Sequence, residues 1–132
     1  MKKHLTILTL LFTLMFSSTS YAEWTLVLSD KSYGEHYIDY ERVRKKDGFT
    51  FFWVLNSYPE PNTKGEYFSF KDYIQVDCSV LKYKYLKHIY YNGIMGTGKG
   101  TEPINDYIGV WDYAIPDTVI EAILNSVCDK FN

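Results

Sequence analysis

Twelve residues in the middle of the chain, Tyr67 to Cys78, alternate in polarity. Phe68, Phe70, Ile74, Val76 and Cys78 fall on one side, with Asp72 as the exception. Tyr67, Ser69, Lys71, Tyr73, Gln75 and Asp77 fall on the other. A half-buried strand requires a period of two, because successive side chains point to opposite faces. Similar runs flank this one. In Glu23–Asp30, Trp24, Leu26 and Leu28 share a side, and His36–Glu41 alternates again. Phe49–Leu55, FTFFWVL, is apolar on both sides, as a central strand would be. In Lys82–Tyr91 the pattern puts Tyr83, Tyr85, Lys87, Ile89 and Tyr91 together, opposite Lys82, Lys84, Leu86, His88 and Tyr90. Tyr107–Tyr113 is expected as a last strand.

The segments between are turn and loop chemistry. Ser32–Gly34 and Asp47-Gly48 read as turns, the second as a tight hairpin. Asn56–Gly65 holds two prolines, Asn and Gly, and is expected as a loop. Asn92–Pro103 is glycine-rich and expected to be loose. After Pro116 the period changes: Ile120, Ile123, Leu124, Val127, Cys128 and Phe131 recur at three and four, a helical stripe. Thr118 and Glu121 fit a capping box at its start. About six strands followed by one helix, joined by short links, predict an α+β fold. The sheet is antiparallel, with the C-terminal helix packed on one face.

The N-terminus changes the compartment. Lys2 and Lys3 precede an apolar run, Leu5–Phe16, and Ser20-Tyr21-Ala22 offers a cleavage site after Ala22. This is the layout of a secretory signal peptide over residues 1–22, leaving one domain over 23–132. The apolar run is short of the ~20 residues a spanning helix needs. No later segment is long and apolar enough to span. The chain is thus expected to be exported, to the periplasm, the outer surface or the medium. The leader takes two of the 14 basic residues and none of the 16 acids, so the remaining 110 residues balance at −4. A mildly acidic domain is a poor nucleic-acid binder.

Both cysteines lie beyond the leader, and an even count in an oxidising compartment favours a disulfide between Cys78 and Cys128. Closing a loop of that size stabilises by roughly 4 kcal/mol in the chain-entropy model. The alternatives, a metal pair or a reactive thiol, find neither zinc-ligand spacing nor a CxxC motif.

Candidate chemistry is sparse. Gly93, Gly98 and Lys99 are spaced as in a phosphate-binding loop, but Gly100 stands where Ser or Thr would hold magnesium, and Pro103 blocks the helix that should follow. His36 and His88 are read as surface or partner-facing. His36 and Asp39, three apart on a strand, would fall on opposite faces and share no metal. Asp72, the odd acid on an apolar face, would sit at a bulge or pair with Lys87, or else act as a functional acid. No nucleophile–base set or ligand cluster is present, so an enzyme, a cofactor and a metal are not expected. Arg42, Arg44, Lys45 and Lys46 could meet a sulfated glycan or an acidic protein surface, although a solvated hairpin end is the plainer reading. Of the 24 aromatic residues, 21 lie beyond the leader, more ring surface than a small core needs. Tyr73 and Gln75, with Tyr83, Tyr85 and Tyr91 on the next strand, are expected to form an aromatic-polar sheet face. That face would either receive a partner or dimerise, or else hold its rings in cross-strand packing.

The pattern resembles the bacterial surface-adhesin protein E family. The matching residues are Trp24, His36-Tyr37-Ile38-Asp39, Trp53-Val54-Leu55, Asp77-Cys78, Met95-Gly96-Thr97-Gly98, Trp111, and Pro116 before a short helix with Cys128. The resemblance implies a six-stranded antiparallel sheet, a helix tethered by Cys78–Cys128, and a homodimer as an option. It also implies binding of host extracellular-matrix and plasma proteins at a Gram-negative surface. The chain departs by lacking a lipid-anchoring cysteine, which leaves a periplasmic or released protein open. The expectation is a non-enzymatic, adhesin-like binding protein. The alternative is a periplasmic structural or inhibitor-type domain that pairs with a bacterial or host protein.

Overall fold

The computed structural model describes residues 23–59 and 67–131. The expected signal peptide lies outside the described residues, as does most of the proline-containing loop. Eight strands form one sheet: β1 (Thr25–Asp30), β2 (Gly34–Ile38), β3 (Arg44–Lys46), β4 (Phe49–Ser57), β5 (Ser69–Asp77), β6 (Lys82–Tyr91), β7 (Gly100–Thr101) and β8 (Asp112–Tyr113). A C-terminal helix, Val119–Phe131, follows. The order is β1-β2-β4-β5-β6-β7, with β3 also on β4 and β8 also on β6, and every strand pairing is antiparallel. The expected α+β architecture is therefore observed, with two very short strands, β3 and β7, added.

β4 is central, as its two apolar sides require. β2 covers its Val54–Ser57 half and β3 its Phe49–Phe51 half. A single 3-10 turn at Tyr40–Arg42 steps the chain from one to the other. The Asp47-Gly48 turn between β3 and β4 has φ of 54° and 82°, the two positive values that a tight hairpin of this hand needs.

The helix packs on one sheet face. Ile38, Phe52, Val54, Ile74 and Val76 meet Ile123, Leu124, Val127 and Cys128 in the core. At the helix start Thr118 Oγ1 accepts from the Glu121 amide at 3.4 Å, and Glu121 accepts from the Asp117 amide at 3.1 Å. The capping box is thus displaced by one residue, with the carboxylate serving Asp117. The Cys78–Cys128 disulfide is present, with Cα atoms 5.6 Å apart. It clamps the end of β5 to the last turns of the helix.

Two bulges break the expected alternation. On β1 the register slips between Leu26 and Leu28, and Val27 packs against the core while Leu26 is half exposed. On β6 the extra residue is Leu86: Tyr73 faces Lys87, but the next residue, Ile74, faces Tyr85. A strand changes sidedness across a bulge, so the two halves of β6 present opposite parities to the helix. Tyr83 and Tyr85 lie on the helix side with Val76 and Ile74, and so do His88 and Tyr90, opposite Asp72 and Phe70.

The last expected strand is mostly absent. Only Asp112–Tyr113 pairs as a strand, while Ile108 makes an isolated parallel bridge to Tyr85 and Gly109 donates to the Tyr85 carbonyl at 2.7 Å. Gly109, at φ +79°, turns the chain away from an extended path.

Candidate binding face

The helix covers one side of the sheet and leaves the other. Residues paired across strands share a side, so the register lists the uncovered face directly. Phe49, Phe51 and Trp53 come from β4, Tyr73 and Gln75 from β5. Their rings touch in series. Trp53 stacks on Tyr73 with centroids 4.8 Å apart, and Phe51 lies 6.2 Å from Tyr73. Phe49 meets Trp111, on the loop before β8, at 5.4 Å.

Cations frame this floor. Arg44 and Lys46 stand opposite Phe51 and Phe49. Lys84 stands opposite Gln75 and lies 4.5 Å from the Trp111 ring; Lys82 lies 5.6 Å from the same ring. Lys71, opposite Leu55, sits over Tyr91 at 4.9 Å and Trp24 at 5.6 Å. Burial lowers the Lys71 pKa, with Arg42 nearby as a second cause. Desolvated cations over ring faces gain more than exposed ones, on the order of 2 kcal/mol against 0.5–1.

The glycine-rich segment closes one end of this face and is pinned, contrary to expectation. Ser69 Oγ donates to the Gly93 carbonyl at 2.6 Å and accepts from the Gly96 amide at 2.8 Å. Ser57 Oγ accepts from the Met95 amide at 3.1 Å. Gly96, at φ +70°, lies so close that a Cβ there would come 2.5 Å from Lys71 Cε. Both serines are buried polar groups satisfied by backbone. The segment is a cover over Leu55, not a phosphate loop.

The expected site residues therefore divide. Tyr73 and Gln75 are on the open face. Tyr83 and Tyr85 are not: Tyr83 is 9% exposed in the core, and Tyr85 packs edge-on against Tyr83 and Tyr107 on the helix side. The Leu86 bulge is the reason. Of the basic run, Arg42 pairs with buried Asp39 at 3.2 Å, and Arg44 donates to the Val43 carbonyl at 2.9 Å. Lys45 and Lys46 are exposed at the hairpin. The residues that pattern reading left out are Phe51, Trp53, Trp111, Lys82 and Lys84. Position in the alternation of β4 could have found the first two.

His36 and His88 are buried, not surface-facing, at 4% and 6% exposed. His88 Nδ1 bonds Asp72 Oδ1, so His88 takes the place expected for Lys87, which pairs with Glu102 at 3.6 Å. Burial raises the Asp72 carboxyl pKa and the bond to His88 works against that rise. The rings of Phe70 and Tyr90 enclose the His88 imidazole at 5.0 and 4.3 Å.

A single antiparallel sheet with a C-terminal helix bolted across one face defines a two-layer α+β domain, with no second α-helix on its other face among the described residues. The chain belongs to the surface-adhesin protein E family, whose profile matches residues 24–129. Crystal form II of Haemophilus influenzae protein E superposes with a TM-score of 0.65 at 16% identity, covering 86% of this chain and 92% of that one. The selenomethionine form of the same protein gives 0.61 at 16%, covering 84% and 89%. Protein E from non-typeable Haemophilus influenzae gives 0.61 at 15%, covering 87% and 80%. Identities this low show the shared fold. No curated protein matches significantly by sequence. The family is one of surface adhesins, and no helix among the described residues is long and apolar enough to cross a membrane.

Proposed function

We propose that this chain is an exported, non-enzymatic, adhesin-like protein that contacts host extracellular-matrix or plasma proteins through its open sheet face. The observation that supports this most is a gathering of cations. A domain with a net balance of −4 gathers Arg44, Lys46, Lys71, Lys82 and Lys84 around the Phe51–Trp53–Tyr73–Trp111 floor. Rings supply contact area at low entropy cost, and cations at the margin speed encounter with an acidic surface. The partner class that fits is an acidic protein surface.

Immobilised matrix and plasma proteins, titrated with residues 23–132 carrying the disulfide, test the reading. Micromolar binding that falls at least tenfold in Trp53→Ala and in Lys84→Glu is expected. Absence of binding, or binding unchanged from the native protein in both variants, overturns it. Protease digestion of this protein on intact cells is the companion test of location, and full protection there excludes adhesion.

A further inference from the structure

On the opposite side of the sheet, between the first turn of the helix and the strands, lies a cavity of about 600 Å³. Small-molecule sites have volumes of roughly 300–1,000 Å³ and combine apolar walls with a few placed polar groups. The walls are apolar, with Val54 and Ile74 below and Ile120 and Ile123 above. The floor is not. His36, Asn56 and Asp72 line it, from β2, β4 and β5, and each is more than nine-tenths buried.

Two of these floor groups are unsatisfied. Among the described residues, His36 Nε2 and Asn56 Oδ1 have no hydrogen-bond partner. The two residues face each other across β2 and β4, so the unused atoms belong to one patch. A buried polar atom left without a partner costs about 1–3 kcal/mol. Two side by side on the floor of a cavity point to a partner from outside the described residues.

The charges of the lining share one sign. Asp72 on the floor and Asp30 and Asp117 at the rim are carboxylates, and no Lys or Arg lines the cavity among the described residues. Burial lowers the His36 pKa, which leaves a neutral imidazole able to accept at neutral pH. Burial raises the pKa of Tyr58, a ring at the cavity wall, and Tyr67 and then Asp72 add to the rise. The helix N-terminus does not reverse this field, because Thr118 and Glu121 already occupy its cap. Acceptors and carboxylates facing an apolar, ring-bearing volume recognise a cation with an apolar body.

We propose that this cavity binds a small protonated organic amine, its ammonium donating to Asn56 Oδ1 and the Asp72 carboxylate and its apolar body lying between Ile74 and Ile123. The site is on the far side of the sheet from the open face, so it stands independently of the adhesin reading.

Phenethylamine and phenylacetate, equal in shape and opposite in charge, are the probes. Each is titrated into residues 23–132 with the disulfide formed and followed by heteronuclear NMR. Saturable shifts with phenethylamine, centred on Ile74, Ile120 and Ile123, and at least tenfold weaker binding of phenylacetate are expected. Asn56→Leu weakens the amine at least tenfold, and Ile120→Trp, which narrows the mouth without touching the floor, does the same. Trp53→Ala leaves it unchanged. No saturable shift with the amine, equal binding of the two probes, or loss of binding in Trp53→Ala overturns the proposal. An unchanged affinity in a folded Ile120→Trp variant also overturns it.

Discussion

Asp72 on β5 and His88 on β6 stand opposite each other in the register and bond carboxylate to imidazole inside the core. Removing one partner strands the other. Asp72→Ala is expected to cost about 3–5 kcal/mol, the range for a broken buried pair. Asp72→Leu combined with His88→Phe is expected to cost less than Asp72→Ala alone, because no polar group is then left unpaired. Urea denaturation of the three proteins measures both. A double variant less stable than Asp72→Ala would show that the pair stabilises beyond mutual satisfaction.

His36 makes the fold sensitive to acid. Its pKa in the folded state is lowered from 6.5, first by burial and against the pull of Asp30. The unfolded imidazole takes up its proton near 6.5, the folded one only below that. Stability from this group is therefore present above 6.5 and is lost as pH falls through the lowered value. Asp72, whose folded pKa is raised, acts with the opposite sign at lower pH: protonation favours its buried form. Melting temperatures of the native protein should fall between about pH 7 and about pH 5, where histidine titrates. His36→Gln should flatten that limb; an unchanged slope would remove His36 as its source.

The disulfide closes a separation of 50 residues. Cys78→Ser should destabilise by roughly 4 kcal/mol on the chain-entropy account. Calorimetry should show the helix end loosened and the melting temperature lowered, while binding through the open face survives at temperatures where the variant is folded. An unchanged melting temperature would contradict the assignment.

Ser69 holds the glycine-rich cover by two bonds. Ser69→Ala leaves the Gly96 amide and the Gly93 carbonyl without this partner, at about 1–3 kcal/mol. Hydrogen exchange should accelerate at Gly96 while the Phe52 and Ile74 amides in the sheet stay protected. Equal acceleration at all three would mean that the cover and the sheet open together.

On the open face, charge reversal and ring removal should separate kinetically. Lys84→Glu is expected to slow association with an acidic partner and weaken its dependence on salt. Trp53→Ala is expected to act mainly on dissociation. Surface plasmon resonance at two ionic strengths distinguishes them.

Most of the fold was legible because it rests on two periods. The alternation of Tyr67–Cys78 and the three-and-four stripe from Ile120 to Phe131 each specify a buried side, and the structure joins those sides. What escaped was anything that interrupts a period. A bulge adds one residue without any compositional mark. Leu86 therefore hid the transfer of Tyr83 and Tyr85 into the core. The pinned glycine segment escaped for another reason. Its restraints come from Ser57 and Ser69, tens of residues upstream, and no local pattern carries that information. The open face was half visible: Tyr73 and Gln75 follow from alternation, but Trp111 reaches Phe49 only through the tertiary path of β8.

The clamp between Cys78 and Cys128 also has an order in time. A chain delivered N-terminus first presents Cys78 while the 50 residues that end at its partner are still to come. During that interval β1 to β5 can pair without the helix, and the apolar side of Phe52, Ile74 and Val76 has nothing over it. The free thiol at the end of β5 is then the most exposed to a wrong partner. Maturation of this domain waits on Cys128, and a chain without it would form a sheet that can assemble but cannot be locked.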